Sequence, residues 1–133
     1  IARELEDTQA LLPGDCKPAF LRPPGGQCSD AVAQVAGARQ LAILSWSVDP
    51  RDWATRSSTV VESGVLGKVG DGDVILLHDM TDSSVQAALD IIDQLKSQGF
   101  RFVTVSELAE LRDVTIVPGT VYRCFPPREE KVK

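Results

Sequence analysis

Three polar residues that can take part in acid–base chemistry, Arg22, Asp52 and His78, each closely follow a short apolar segment of the chain. His78 is the only histidine in the sequence. Its imidazole exchanges protons near neutral pH, which is what a general acid needs. One histidine cannot form a metal site by itself, since typical sites use three or four ligands. The sequence therefore predicts an acid–base role for His78, and a structural histidine bonded under a loop is the alternative.

A carboxylate beside His78 would orient the imidazole ring and stabilise its charged form. Asp52 and Asp49 are the candidates, because Asp79 is too close in sequence to be the natural partner. For Asp49 the alternative is a turn-forming role beside Pro50. For Asp52 the alternative is a loop position that pairs with a neighbouring arginine.

The segment that begins with Arg22 continues as Pro23-Pro24-Gly25-Gly26. The two prolines restrict the backbone behind the arginine, which suits a side chain that must point in one direction. The two glycines let a substrate approach the main chain, whose amide hydrogens can stabilise an oxyanion. We expect Arg22 either to clamp a catalytic carboxylate or to form a surface ion pair. An ordinary turn is the alternative for the glycines.

Apolar side chains accompany these polar positions. Trp53 and Leu76 are placed to wall a pocket for a small apolar substituent such as a methyl group. Trp46 lies in the middle of a predicted strand, so we expect it in the core.

Short apolar strands alternate with amphipathic helices along the chain. The predicted strands, which are apolar and bounded by turn residues, are 18–21, 40–48, 74–77 and 100–105. The predicted helices, which carry apolar residues at helical spacing, are 1–12, 29–36, 57–70, 84–98 and a short helix capped by Ser106. This alternation implies an α/β fold with parallel strands, part of a barrel or of a doubly wound sheet. Active sites of such folds lie at the carboxyl ends of the strands, so we expect Arg22, Asp52 and His78 at one edge.

Two of these segments have a predicted burial pattern. The helix 84–98 begins at Ser84 and carries Val85, Leu89, Ile92 and Leu95 on one side. The segment 74–77 is uniformly apolar, which is typical of a strand buried on both faces of a parallel sheet.

Charge and composition exclude some functions. The formal net charge of −5 argues against a dedicated nucleic-acid binder. No apolar run approaches the roughly 20 residues of a membrane span. The first residues are charged and resemble the interior of a helix rather than a signal peptide, so we expect the chain to be cut at this point. We assign residues 1–123 to one domain portion and 124–133 to a charged, solvated tail.

The three cysteines show no metal-type spacing. Cys16 and Cys28 flank a Pro/Gly-rich loop and can pair in an oxidising compartment, which would leave Cys124 free. Three unpaired thiols fit the spacing equally well.

Several motifs, in order, resemble those of the NodB-like polysaccharide deacetylases (carbohydrate esterase family 4). Residues 20–26, Phe-Leu-Arg-Pro-Pro-Gly-Gly, resemble the third motif of that family, and residues 47–53, which end in Asp-Trp, resemble the fourth. Residues 76–78, Leu-Leu-His, resemble the fifth motif, and residues 102–108 resemble the last strand and helix. The resemblance extends over nearly the whole chain.

The resemblance implies a distorted (β/α) barrel and hydrolysis of N- or O-acetyl groups on a polysaccharide, with a divalent metal, expected to be zinc. It implies that His78 is the acid, that Asp52 orients it and that Arg22 positions the catalytic base. The residues expected to contact substrate are Trp53, Leu76, Gly25, Gly26 and Asp49. Trp53 and Leu76 would line the pocket for the acetate methyl. An extracellular or cell-wall location follows from the same resemblance.

Two departures from the family pattern qualify this assignment. The first and second motifs, which supply the base and the metal ligands, are not present in the sequence. We therefore expect no metal ligands in this chain, a metal site in a missing N-terminal part, and that N-terminal fragment as a partner. Gly25 stands where the family has an aromatic residue, which should loosen one wall of the substrate groove.

Two other functions remain open. The first is a non-catalytic carbohydrate-binding or scaffold protein derived from the same fold. The second is an unrelated α/β protein such as a response-regulator-like domain. The identity of the polymer, and N- versus O-deacetylation, are not determined by these residues.

Overall fold

The computed structural model of the chain describes residues 1–127. These residues form two compact units, and each is described separately below. Unit 1 comprises Ile1–Ser45 and Thr115–Tyr122. Unit 2 comprises Trp46–Val114 and, among the described residues, 123–127. Residues 128–133 of the predicted charged tail lie outside the described residues, so the division at residue 123 stays a prediction.

Unit 1 contains a three-stranded sheet with two helices. The strands, in the spatial order β1-β2-β3, are β1 (Phe20–Leu21), β2 (Ala42–Leu44) and β3 (Val121–Tyr122). Both strand pairs are parallel, as the alternation of elements predicted. The helices are α1 (Ala2–Ala10) and α2 (Asp30–Ala38).

The central strand of unit 1 is shorter than predicted. Strand β2 ends at Leu44, whereas the sequence predicted a strand from 40 to 48. Strand β3 begins at Val121 and lies outside the four predicted strands. Trp46, which was expected in the core, lies two residues after the end of β2, belongs to unit 2 and is half-buried.

Helix α2 forms the small core of unit 1. The Ser29 side chain caps the helix by accepting a hydrogen bond from the Val32 N–H at 3.3 Å. Ala36, on α2, packs with Leu41 and Ile43, and all three are buried.

Unit 2 is built around two packed helices. Helix α3 (Ser58–Leu66), capped by Ser57, and helix α4 (Asp82–Ser97) supply most of its core, and α5 (Val105–Leu111) follows. The buried residues of this core are Val48, Val61, Val65, Ala87, Ile91 and Leu95. Within residues 1–127 no helix is both long enough and apolar enough to cross a membrane.

The predicted orientation of α4 is wrong. The helix begins at Asp82, two residues before the predicted start at Ser84, and Thr81 caps it by accepting a hydrogen bond from the Ser84 N–H at 3.2 Å. Of the four residues on the predicted core face, Val85, Leu89 and Ile92 are 44%, 55% and 38% exposed, and only Leu95 is buried. The helix instead buries a face of smaller residues, which are Ser84, Ala87, Ile91 and Leu95. Apolar residues occupy two sides of α4, and the side with small Ser84 and Ala87 is the one that is buried.

Two predicted strands of unit 2 are not regular strands. In segment 74–77, Ile75 forms a single parallel bridge with Val48, and the preceding Asp73 bridges Cys124 in the antiparallel sense. Residues 100–104 form no strand in the described part of the chain, and Phe102 is 51% exposed. A strand is stabilised by a hydrogen-bonded neighbour, and neither segment has a continuous one here.

Helix α5 begins two residues earlier than predicted. Thr104 is its cap, not Ser106, and Thr104 and Glu107 form a reciprocal capping box. The hydrogen bonds from the Thr104 side chain and backbone lower the pKa of the Glu107 carboxyl.

After β3 the chain belongs to unit 2 again from Arg123, and Phe125 in this segment is buried. The Phe125 N–H donates to the Gly72 carbonyl at 2.7 Å. Gly72 has φ of +89°, and a Cβ there would lie 2.0 Å from the Phe125 oxygen, so only glycine fits. The cysteines are unpaired; Cys16 and Cys124 are exposed, and Cys28 is half-buried.

Candidate active site

Asp52 and His78 form a hydrogen-bonded pair in unit 2. Asp52 Oδ1 lies 2.8 Å from His78 Nδ1, and Asp52 Oδ2 accepts a hydrogen bond from the His78 backbone N–H at 2.7 Å. The Asp52 side chain is fully buried, whereas the His78 side chain is 25% exposed. The carboxylate therefore holds both the ring and the main chain of the histidine.

The loop before Asp52 turns its side chain inward. Asp49 Oδ1 accepts a hydrogen bond from the Arg51 N–H at 2.8 Å, which closes a local turn. Arg51 then adopts a left-handed conformation with φ of +55°, and a short 3-10 helix follows at Asp52–Ala54. Asp49 thus acts as a turn former in the structure, and its predicted contact with substrate stays a prediction.

His78 is positioned by the extended segment that precedes it. The Leu76 N–H donates to the Val48 carbonyl at 2.9 Å, and Ser47 Oγ donates to Asp73 Oδ1 at 2.7 Å. These bonds tie the segment 74–77 to the chain that leads into the Asp52 loop. His78 is the next residue, so its distance from Asp52 is set by backbone hydrogen bonds.

The electrostatic balance at Asp52 favours the ionised form. Burial by itself raises the pKa of Asp52, but hydrogen bonds from the His78 ring, the His78 backbone and the Ser84 hydroxyl outweigh it. The pKa of Asp52 is therefore lowered from its ordinary value. Because an ionised carboxylate only accepts hydrogen bonds, Nδ1 of His78 must carry a proton. This leaves Nε2 as the ring nitrogen available to another molecule.

This arrangement can deliver or receive a proton at one defined atom. The buried carboxylate stabilises the charged imidazolium, and it fixes the ring so that Nε2 keeps one direction. The geometry is that of an oriented acid–base histidine, in which the carboxylate itself need not change its protonation.

Trp53 and Leu76 flank the pair in sequence and differ in burial. Trp53 follows Asp52 in the 3-10 helix and is 53% exposed, with the Arg51 guanidinium 5.2 Å from its ring centre. Leu76 is buried, with 8% of its surface exposed. Their predicted role as walls of a methyl pocket stays a prediction.

Arg22 and the two glycines belong to unit 1. Arg22 is exposed directly after β1, and Pro23 behind it is buried. Gly25 and Gly26 have φ of +65° and +69°, which favours glycine at both positions. Within residues 1–127, no carboxylate lies within ion-pair distance of Arg22. The predicted convergence of Arg22 with Asp52 and His78 stays a prediction, since Arg22 lies in a different unit.

The described residues do not supply a metal site. Among residues 1–127 no group of three or more histidine, cysteine, aspartate or glutamate side chains is arranged to hold a metal ion. The donors of the described residues therefore do not fit a divalent metal by themselves.

The sequence did not identify Ser84 as part of this site. It was interpreted as the first residue of a helix, but it lies on the buried face of α4, and a hydrogen bond from its hydroxyl contributes to the lowered pKa of Asp52. The spacing contained a usable signal: Ser84 is three, seven and eleven residues before Ala87, Ile91 and Leu95, so it shares their face. A polar residue on a buried helix face needs a hydrogen-bond partner.

Unit 2 also contains an open cavity of about 730 Å³ that holds none of the predicted site residues. We define the apolar groove as the part of this cavity lined by Ile75, Leu77, Ile92, Phe100, Phe102 and Leu111. The backbone N–H groups of residues 101–103 have no hydrogen-bond partner within residues 1–127. The groove thus combines apolar side chains with open backbone donors.

The chain is similar to bacterial deacetylases. It is 34% identical over 112 residues to the peptidoglycan-N-acetylmuramic acid deacetylase PdaC of Bacillus subtilis, a match that covers 83% of the chain and 23% of PdaC. It is 42% identical over 97 residues to a peptidoglycan-N-acetylglucosamine deacetylase of Bacillus cereus, covering 69% of the chain and 46% of that protein. It matches no family model.

Solved structures give the same relationship. The structure of PdaC from Bacillus subtilis superposes with a TM-score of 0.77 at 33% identity, and covers 84% of the chain and 55% of PdaC's. A family 4 acetyl xylan esterase from Clostridium thermocellum, in complex with a cobalt ion, superposes with a TM-score of 0.74 at 31% identity and the same coverage. The chain spans about half the length of these structures, and less than half of the two curated relatives.

Proposed function

Since this chain belongs to the NodB-like polysaccharide deacetylase family and spans part of its α/β fold, we propose that it is the C-terminal part of a metal-dependent hydrolase. The reaction is removal of acetyl groups from N- or O-acetylated sugars of a polysaccharide. The observation that carries the proposal is the pair of Asp52 and His78, which hydrogen-bond at 2.8 Å. The names of the relatives, which include peptidoglycan deacetylases and an acetyl xylan esterase, support this substrate class.

His78 is the general acid of the proposed reaction. As the bond between the acetyl carbon and the sugar nitrogen or oxygen breaks, the proton on Nε2 moves to that leaving atom. Asp52 keeps Nδ1 protonated and stabilises the imidazolium before the transfer. Partial exposure of the His78 side chain, at 25%, is compatible with access to a substrate.

The remaining predicted residues act around this acid. We assign Arg22 to positioning a catalytic base that belongs to the part of the domain outside this chain, and its exposed guanidinium is compatible with that role. Trp53 and Leu76 line the pocket for the acetate methyl. Gly25, Gly26 and Asp49 lie on the substrate side of their loops.

A divalent metal, expected to be zinc, supplies polarisation of the acetyl group in this proposal. The cobalt-bound acetyl xylan esterase supports a divalent metal in such enzymes. Because the described residues do not form a metal site, its ligands are assigned to an N-terminal part of the same domain.

That N-terminal part is the proposed partner, in the same or another polypeptide, and the apolar groove supports its presence. Phe102 and Leu111 are 51% and 60% exposed in the groove. Apolar side chains and open backbone donors at 101–103 together suit an added strand. We therefore place the N-terminal part over the groove. An extracellular or cell-wall location belongs to the same proposal, since peptidoglycan is the named substrate of several relatives.

The proposal is tested by acetate release from the complete protein with zinc or cobalt present. Substrates are N-acetylglucosamine oligomers, peptidoglycan fragments and acetylated xylan, which also separate N- from O-deacetylation. We expect His78→Ala to lower turnover by about 100-fold or more, because the acid is removed. Binding of an oligosaccharide without acetate release would instead support the non-catalytic carbohydrate-binding function. Turnover unchanged in His78→Ala would remove this residue from the mechanism.

A further inference from the structure

Arg51 adopts a backbone conformation that is uncommon for its residue type. Its φ is +55°, and among residues 1–127 only two other non-glycine residues, Gln40 and Asp113, have a positive φ. Those two lie two residues after the ends of α2 and α5, where a left-handed residue is common. Arg51 instead lies in a loop, directly before the 3-10 helix that begins at Asp52. Left-handed residues that no helix end explains are concentrated at ligand sites, so this loop is a candidate for a binding role.

The loop divides its side chains between the interior and the surface. Asp52 is fully buried and bonded to His78, whereas its two neighbours, Arg51 and Trp53, are exposed. The two exposed side chains meet, because the central carbon of the Arg51 guanidinium lies 5.2 Å from the centre of the Trp53 ring. A cation placed over an indole face within about 6 Å is attracted by the electrons of the ring. The contact therefore restrains an aromatic side chain that lies at the surface.

The Arg51 guanidinium is not held by an opposite charge. Within residues 1–127, no carboxylate lies within ion-pair distance of it. Its backbone N–H donates to Asp49 Oδ1 at 2.8 Å, which fixes the main chain from which the side chain extends. A planar guanidinium stacks well on an aromatic face. With Arg51 over one face of Trp53, the other face of the ring is left for another molecule.

We propose that Arg51 is a positioning residue for substrate: its guanidinium covers one face of the Trp53 ring and holds the other face towards the acetyl methyl of the sugar. The proposal rests on the role proposed above for Trp53 as a wall of the methyl pocket. Trp53 directly follows Asp52, so one loop holds both the acid–base pair and this wall. A methyl group contacts the wall both before and during the reaction, so Arg51 acts on substrate binding and not on the chemical step.

The test compares Arg51→Asn with Arg51→Lys and Arg56→Asn in the complete protein. Asparagine tolerates the left-handed conformation, so Arg51→Asn removes the cation and keeps the backbone. Lysine keeps a cation over the ring. Arg56→Asn is the matched control, because Arg56 is also exposed, follows Trp53 by three residues and, within residues 1–127, lies over no aromatic ring. Circular dichroism checks folding, and if Arg51→Asn does not fold, Arg51→Gly replaces it, since glycine adopts a positive φ without strain.

We expect Arg51→Asn to raise KM about 2- to 5-fold with kcat unchanged, which is the factor that an exposed cation–π contact supports. The assay is acetate release from an N-acetylglucosamine oligomer. The indole N–H signal of Trp53, assigned by its loss in Trp53→Phe, should show a lower heteronuclear NOE, because the ring moves more. Arg51→Lys should restore KM and the NOE, and Arg56→Asn should change neither. On a Trp53→Ala background, Arg51→Asn should no longer raise KM.

An indole NOE that is the same in folded Arg51→Asn and in the unmodified protein would overturn the proposal. An equal rise of KM on the Trp53→Ala background would do so as well, because Arg51 would then act on substrate without the ring. An equal rise of KM in Arg56→Asn would also count against it, since any positive charge of the loop would then suffice. If the unmodified protein releases no acetate, the proposed function fails. The NOE needs no turnover, and it alone then decides whether Arg51 holds the ring.

Discussion

Replacement of Asp52 by asparagine is the most direct test of how the pair works. Asp52 uses both oxygens, Oδ1 towards the His78 ring and Oδ2 towards the His78 backbone. Asparagine has only one oxygen, so in either orientation its amide N–H₂ faces one of these two donors. If the amide faces the ring, the neutral ring must move its proton to Nε2. If the amide faces the backbone, a buried N–H loses its partner.

The expected magnitude follows from the bond that is lost. A hydrogen bond to a charged group contributes about 1.5–3 kcal/mol, which corresponds to about 10- to 150-fold in rate. We expect Asp52→Asn to lower kcat by this factor, with KM nearly unchanged, because Asp52 is buried and does not touch substrate. The assay is acetate release from an N-acetylated oligosaccharide by the complete protein.

Asp93→Asn is the control, since Asp93 is an exposed carboxylate on α4. It makes the same chemical change far from the pair in sequence and should leave kcat unchanged. A kcat for Asp52→Asn within about two-fold of the unmodified protein would refute the reasoning, since the magnitude above allows no such value.

Two further predictions concern stability and assembly. The pKa of Asp52 is lowered in the folded protein, so its contribution to stability is fully present above the ordinary value of 3.8 and is lost as the pH falls below it. The stability of Asp52→Asn should therefore depend less on pH below 3.8 than that of the unmodified protein. The same pH dependence of acid unfolding in both proteins would contradict the assigned hydrogen bonds. Phe102→Asp places a charge in the apolar groove and should reduce co-purification with the N-terminal part. Val60→Asp is the control, since Val60 is a similarly exposed apolar residue outside the groove, and it should leave co-purification unchanged. Equal amounts of the N-terminal part with both variants would argue against the groove as the docking surface.

The sequence predicted the elements of this fold better than their packing. Ser29 and Ser57 cap α2 and α3 as local hydrogen-bonding rules predict, since a cap depends on only a few neighbouring residues. The buried face of α4 was predicted incorrectly because Val85 and Leu89 are more apolar than Ser84 and Ala87. Which face is buried depends on a partner helix, and small residues on that face let α3 approach closely.

The candidate site was predictable where it depended on strand ends. Asp52 and His78 were expected beside each other, and the structure brings them to 2.8 Å. The contribution of Ser84 to the lowered pKa of Asp52 was not expected, because no local pattern connects residues so far apart in sequence. The expected strand 100–105 is likewise absent from the described residues, since strand formation needs a neighbour from another part of the chain.

The unequal burial of the two partners argues that this pair serves chemistry more than stability. An ion pair on the surface contributes about 0–1 kcal/mol, and a buried one is often no more stabilising than apolar residues of the same size. Asp52 is nevertheless fully buried and accepts hydrogen bonds from the ring and the backbone of His78, while the ring it orients stays 25% exposed. Burial removes water from the carboxylate and thereby strengthens its field at Nδ1, and exposure leaves Nε2 accessible. A pair that served only the core would bury both groups, and a pair that served only solubility would expose both; this asymmetry is what a proton donor needs.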